Sequence, residues 1–225
     1  MDYDKIKYAI YLIYEKYAIN RLPFDCIGLL ETMGFSCKKY SHLSESKYEA
    51  CLRLSEDACT LGNEIFYNDK KSKRRIRFSL MHELGHLALD SQDEAEANNF
   101  ASTILAPSMA VYYSKLSNIR EISNIFNISL ECAKYAYETC EKWVYSVKHY
   151  GMTDVDWKIY NHFYDEEVRK FVFKITPCAY CDTLIYNSNK PLCECCDKPV
   201  SNISRFDRQR IDFINAENSW LYGGI

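Results

Sequence analysis

Apolar positions recur at helical spacing over most of the chain and at strand spacing over a short stretch near the start. Within 3–19, Ile6, Ala9, Ile10, Ile13 and Tyr17 fall on one face, the stripe of an amphipathic helix. Asn20 to Pro23 breaks it, and a short helix over 24–32 is expected to end at Gly34 in a left-handed cap. Residues 35–40 alternate weakly and read as a strand, 50–54 as another short strand, and 57–67 as a strand or hairpin arm with Ile65, Phe66 and Tyr67 its clearest part. Residues 41–47 are polar and have no assignable pattern.

The pattern then changes. Over 77–89, RFSLMHELGHLAL, the residues Leu80, Met81, Leu84, Leu87, Ala88 and Leu89 surround the axis, which predicts a mostly buried helix. Gly85 costs about 1 kcal/mol there against alanine, so a closely crossing helix or strand is expected at that point. A second helix follows. Ser91, Gln92 or Asp93 starts it, acidic residues fill its first turn, where the helix dipole favours them, and Pro107 ends it. Ser108 is expected to cap a third helix over 108–116. Ile119, Ile122, Ile125 and Phe126 line another, and Ser129 caps a long one running from 130 to about 148. A helix capped by Thr153 or Asp154 is expected to reach Arg169, before a β-prone run at 171–175. The tail, 204–218, reads as a polar amphipathic helix with Phe206, Ile211 and Ile214, followed by an apolar Trp220-Leu221-Tyr222 end.

Helical patterns with a few clustered strands predict an α+β fold with a mainly helical body and a small β-sheet. The 225 residues allow one substantial core and a small added module. A net charge of −3 gives no global attraction for nucleic acid or membrane. No run approaches the roughly 20 apolar residues of a spanning helix. The opening Met1-Asp2-Tyr3-Asp4 is acidic and no apolar stretch follows it, so no export signal is expected. Eleven cysteines, an odd number with five of them between Cys178 and Cys196, then fit a cytoplasmic chain with a metal-binding cluster and free buried thiols better than a disulfide scaffold.

The candidate chemistry lies in the buried helix. His82 and His86 are four apart and share a helix face, so both imidazoles can reach one zinc ion. Glu83 is turned by about 100°, where a carboxylate can address a water at the open coordination position. Two histidines inside an apolar helix can also be ordinary hydrogen-bonded core residues. A carboxylate beside them is harder to explain without a metal, because it is costly to bury unpaired. A catalytic zinc takes a third protein ligand. Glu94 is the expected one, on the face of the second helix that carries Ala97, Asn98, Ala101 and Leu105, with Glu96 and Asp93 as alternatives. Ala97 and Ala101 would let this helix pack tightly on the first.

The sequence His82-Glu83-Leu84-Gly85-His86, followed by Glu94, Ala97, Asn98, Phe100, Ala101, Leu105 and Pro107, resembles the ImmA/IrrE family of metallopeptidases over roughly residues 5–135. The resemblance implies a zincin-like domain with His82, His86 and Glu94 as zinc ligands and Glu83 as general base. It implies a protein substrate, a helix-turn-helix repressor of the phage type, and a role in mobile-element or stress regulation. Ile104-Leu105-Ala106-Pro107 departs from the Leu-Leu-Met-Pro of many relatives, a change of packing only. The chemistry also needs an oxyanion donor; Tyr112, Tyr113 and His149 are candidates among which the sequence does not choose.

A second constellation follows. Cys178 and Cys181 form one C-x-x-C knuckle and Cys193 and Cys196 another, eleven residues on, which is zinc-ribbon spacing. Four thiolates close the coordination sphere, so this zinc is expected to be structural. Cys195 lies between two ligands and could replace Cys196, at an unusual spacing. An iron site or redox chemistry is the alternative.

The boundaries that follow are 1–150 for the metallopeptidase domain with its helix-turn-helix-like segment, 151–170 for a helical linker, 171–203 for the ribbon-like module and 204–225 for a helical tail. One catalytic and one structural zinc are expected. The basic run at 69–77 carries six Lys or Arg residues; a solvated loop, a nucleic-acid contact and an attraction for an acidic stretch of substrate are its readings, and Arg77 is suited to a fixed buried pair. The segment at 119–148 has only Lys134 before Glu138 on its second helix, so direct DNA binding is not expected. The rival function is a non-catalytic DNA-binding or adaptor regulator that retains a metal site.

Overall fold

A computed structural model describes residues 2–197. It is an α+β structure: a mainly helical body with small sheets, followed by a cysteine cluster. The expected tail at 204–218, its Trp220-Leu221-Tyr222 end and the last residues of the expected module lie outside the described residues. The described residues divide into two compact units, one of 2–175 with 186–189, the other of 176–185 with 190–197. No helix among the described residues is long and apolar enough to cross a membrane.

The body begins with α1 (Tyr3–Lys16), whose Asp2 cap accepts from the N–H groups of Asp4 and Lys5, and α2 (Cys26–Thr32). Ile6, Ile10 and Ile13 of α1 are buried, as their spacing predicts. Gly34 has φ +94°, the left-handed conformation expected after α2. The strands β1 (Ser36–Lys39), β2 (Ala58–Leu61) and β3 (Glu64–Tyr67) form one sheet in the order β1-β3-β2, with β1 parallel and β2 antiparallel to β3. β2 therefore has a free edge among the described residues. Asn68 N–H donates to Asp57 C=O just before the first pair of the register, Ala58 opposite Tyr67. Hydrogen-bonded pairs alternate along an antiparallel ladder, so the N–H and C=O of Thr60 point away from β3.

Residues 50–54 are not a strand. They close helix α3 (Glu45–Leu54), which also takes in part of the stretch that had no pattern. Cys51 of α3 is buried with Tyr40, Cys59 and Phe66, and Tyr48 and Leu52 pack against them. This helical stripe is only three residues wide and sits in a polar segment, so the short apolar run at its end imitates a strand.

Helix α4 (Lys73–Leu89) starts four residues before Arg77, with Ser72 accepting from the N–H of Arg75. Four of the six basic residues of the run are thus in the helix rather than in a loop. Arg74 donates to Ser123 Oγ and Asn124 Oδ1, and Arg75 to Asp57. Arg77 forms no ion pair among the described residues. It donates to the carbonyl of Phe24 and lies over its ring, while Nε and Nη2 are buried without a partner there. Leu87 and Ala88 are exposed, so α4 is buried over a wide stripe and not all round. Helix α5 (Glu94–Leu105) crosses α4, its cap Asp93 accepting from Ala95 and Glu96.

Helices α6 (Ser108–Ser114), α7 (Ile119–Phe126) and α8 (Leu130–Tyr150) complete the core. Ser129 caps α8 by accepting from Cys132, as expected. Ser108 is instead the first helical residue, after Pro107, and makes no cap bond. Helix α9 (Asp154–His162) opens on a capping box between Thr153 and Asp156 and stops well short of Arg169. A two-stranded pair, β4 (Tyr164–Asp165) with β5 (Lys170–Phe171), takes the rest of that segment. Phe163 and Phe171 are buried side by side and Tyr113 stacks on Phe171, so aromatic packing overrides the polar helical pattern. β6 (Ile175–Pro177) and β7 (Leu184–Tyr186) form a third small sheet.

Candidate metal centre and active site

The close crossing of α4 and α5 builds the site. A β-carbon on Gly85 would stand 3.1 Å from Ala97 Cα and 3.2 Å from Ala97 O and Phe100 Cβ. The glycine is what lets the two backbones meet, and Ala97 and Ala101 are buried at the seam. His82, three residues before Gly85, and His86, the residue after it, are thereby brought to the first turn of α5.

There His82 Nε2, His86 Nε2 and the Glu94 carboxylate converge. The two nitrogens are 3.1 Å apart. Glu94 Oε2 is 3.2 Å from His82 Nε2, and Oε1 is 3.5 Å from His86 Nε2. The opposite ring atoms are already engaged: His86 Nδ1 lies 2.8 Å from the carbonyl of Ser91, and His82 Nδ1 3.0 Å from Asn98 Oδ1. A carbonyl only accepts, so His86 carries a proton on Nδ1, and the amide oxygen of Asn98 asks the same of His82; in the neutral rings Nε2 is then the atom left to accept.

Three acceptors thus face one point, an arrangement that a cation satisfies. Ligands about 2.0–2.1 Å from a tetrahedral zinc stand roughly 3.3 Å from one another, so the donor set fits. Of the alternative carboxylates, Asp93 is used as the α5 cap, and Glu96 is not part of the group, which among the described residues comprises His82, His86 and Glu94.

Glu83 stands beside this centre, half-buried, and its Oε2 accepts a 2.8 Å hydrogen bond from Thr60 Oγ1 on β2. Burial pushes its carboxyl above the usual range, against the pull of the Thr60 hydroxyl and the two imidazoles. That direction suits a carboxylate that must take up a proton and give it back. A cleft of 540 Å³ opens over these groups, walled by Ala58, Thr60 and Leu61 on one side and by Arg75, Phe78 and Glu94 on the other. A larger cavity of 820 Å³, between α1, α5 and α8, contains no histidine or cysteine. Tyr112, Tyr113 and His149 do not line the cleft. Tyr112 packs on Trp143, Tyr113 on Phe171, and His149 Nδ1 bonds the carbonyl of Tyr145.

Thr60 and the Ser91 carbonyl carried no signal in the sequence. Asn98 carried one, since it lies four residues after Glu94 and hence on the same face.

The four cysteines expected to hold the second metal also come together. Their sulfur atoms lie within 4.8 Å of one another. Cys181 Sγ is 3.6 Å from Cys193 Sγ and 3.5 Å from Cys196 Sγ. These separations exceed a disulfide bond of about 2.05 Å and approach the roughly 3.8 Å edge of a tetrahedron with 2.3 Å Zn–S bonds. The backbone N–H of Cys193, at 3.4 Å from Cys178 Sγ, heads the donors that bring the Cys178 thiol down to about 6. The Thr183 hydroxyl lowers Cys181, and burial raises Cys196. Cys195 is exposed and stands outside the group.

Residues 44–137, which include His82, Glu83, His86 and Glu94, match the family model of the M78 peptidases described as the IrrE N-terminal-like domain. This agrees with the resemblance carried by the HELGH sequence and the Glu94–Pro107 segment. No curated protein matches the chain.

Proposed function

With residues 44–137 an IrrE N-terminal-like domain of the metallopeptidases, we propose that the chain is a zinc-dependent endopeptidase. The observation that carries this reading is the convergence of His82 Nε2, His86 Nε2 and the Glu94 carboxylate beside a half-buried Glu83. His82, His86 and Glu94 would hold a catalytic zinc, and Cys178, Cys181, Cys193 and Cys196 a structural one. When bound at the first site, zinc supplies Lewis acidity, polarising a carbonyl and acidifying water.

The chain's own residues do the rest. Asn98 and the Ser91 carbonyl fix the two rings. Glu83 takes the proton of the attacking water and returns it to the leaving amine. The free edge of β2 lies along the cleft, so an extended peptide can pair there as an added strand.

The substrate is a protein, and the family resemblance points to a phage-type helix-turn-helix repressor. The rival, a DNA-binding or adaptor regulator, is weakened by the basic run. Arg74 and Arg75 are spent on Ser123, Asn124 and Asp57, and Arg77 on Phe24.

The test incubates the purified, zinc-loaded chain with the purified repressor of a neighbouring gene, beside the Glu83→Gln variant. Cleavage by the parent and none by Glu83→Gln is expected, with metal and fold retained in both. A variant that cuts as fast as the parent would remove Glu83 from its role. A gel shift of DNA by the chain alone, without cleavage, would favour the regulator.

A further inference from the structure

Glu83 is gripped from outside its own helix. A glutamate carboxylate turns about a broad, roughly two-fold torsion, so its place on α4 does not settle which oxygen meets a water. The only hydrogen bond to it among the described residues is the 2.8 Å one from Thr60 Oγ1 to Oε2. A hydroxyl has one hydrogen to donate, and this one is committed to Oε2. That bond restricts the turning of the carboxylate and leaves Oε1 without a partner among the described residues.

The strand that supplies this hydroxyl is an edge strand, the one of the two that lines the cleft. Ala58 and Thr60 lie on one face of β2, Cys59 on the other among Tyr40, Cys51 and Phe66. Thr60 therefore turns its side chain to α4 while its N–H and C=O point away from β3. The neighbouring Ala58 N–H is already taken by Ser55 Oγ at 3.3 Å. Thr60 is thus the residue of β2 that combines a free main chain at the edge with a side chain on the base.

We propose that Thr60 is the positioning residue of the proton-transfer step: its hydroxyl orients the Glu83 carboxylate, and a substrate strand paired at the β2 edge holds Thr60 in the register that does so. The proposal rests on the peptidase reading and adds to it the group through which substrate pairing reaches the base. Losing the hydroxyl leaves the ligands and the cleft intact, so the loss falls on turnover and not on metal or peptide binding.

The experiment compares the zinc-loaded parent with Thr60→Val, which keeps the branched shape without the hydroxyl, Thr60→Ser, which keeps the hydroxyl, and Thr60→Ala as a second hydroxyl-free variant should valine disturb the strand. Cleavage of a library of quenched-fluorescent decapeptides gives kcat and KM, and 13C-glutamate labelling gives the Glu83 carboxylate resonance, assigned by its loss in Glu83→Gln. Thr60→Val should lower kcat by about tenfold, less than the roughly 10²–10⁴ that the whole general base contributes, with KM and zinc content unchanged and the resonance displaced. Thr60→Ser should restore both the rate and the resonance. A Thr60→Val enzyme with the parent's kcat overturns the proposal and leaves the peptidase reading standing. So does a Thr60→Ser enzyme as slow as Thr60→Val, because packing and not the hydroxyl would then matter. A zinc-loaded parent that cuts nothing in the library sinks the peptidase reading. An unmoved Glu83 resonance in Thr60→Val then sinks the Thr60 assignment as well, and a displaced one keeps its orienting role.

Discussion

Gly85 of α4 and Ala97 of α5 touch backbone to backbone: a β-carbon on the glycine would meet Ala97 Cα at 3.1 Å. Glu94, three residues before Ala97, reaches the two histidines only because the helices come this close.

The Gly85→Ala substitution tests that relationship. Alanine is favoured in a helix by about 1 kcal/mol. Here the new methyl meets main-chain atoms, which cannot turn aside, and overpacking of this kind costs roughly 1–3 kcal/mol. A net loss of about 1 kcal/mol is expected, read as a fall in melting temperature of about 2–4 °C. Metal affinity at the His82-His86-Glu94 centre should fall with it, since α5 must move away from α4. Thermal unfolding and a competition titration with a zinc chelator measure the two effects. A more stable Gly85→Ala protein would mean the crossing has slack.

Asn98 offers a milder probe of the same centre. Its amide oxygen is the partner of His82 Nδ1. Outer groups of this kind are worth about 10–100-fold in metal affinity, so Asn98→Ala should weaken zinc binding by that order with little change in melting temperature. Asn98→Asp keeps an acceptor at the same position and should retain affinity. Equal weakening in both would show that the amide group does more than orient the ring.

How much of this was legible in sequence depended on how far each signal was local. His82, Glu83 and His86 are fixed relative to one another by helix geometry alone, and Glu94 and Asn98 share a face at a spacing of four. The crossing was readable from a glycine in a helix that has no local use for one. Thr60 lies 23 residues before Glu83 in the chain, and nothing in so short a stretch says that its threonine will face a carboxylate. The strand expected at 50–54 failed because a helix that buries only Cys51 fully gives too weak a 3.6-residue period. The helix expected to reach Arg169 failed because Phe163 and Phe171 are drawn into an aromatic cluster that no local pattern foretells.

Metal content separates the two proposed centres. Elemental analysis of the purified chain should find two zinc ions per molecule, one after His82→Ala and one after Cys178→Ser. His82→Ala should leave the fold of the cysteine module intact. Cys178→Ser should unfold that module, because a unit this small depends on its metal for folding. A parent that binds one zinc ion rejects one of the sites, and the two variants identify which.

The wall of the cleft holds an ion pair whose contribution depends on pH. Arg75, in the first turn of α4, donates to Asp57 at the start of β2 with N···O 2.6 Å, and Lys71 approaches the same carboxylate at 3.7 Å. The Arg75 hydrogen bond chiefly holds the Asp57 carboxyl below its usual range, against a smaller opposing effect of burial. A carboxylate whose folded pKa is depressed stabilises the fold above its unfolded value, near 3.9, and the contribution is lost as pH falls through the folded value. Arg75 is half exposed, so solvent screens the pair and the contribution is modest. Asp57→Asn should therefore be less stable than the parent in urea at pH 7, with the gap constant down to about pH 5 and closing below about pH 4. The same substitution should loosen the start of β2 and raise KM for cleaved peptides. A gap between the two proteins that widens on acidification would contradict the assigned pair.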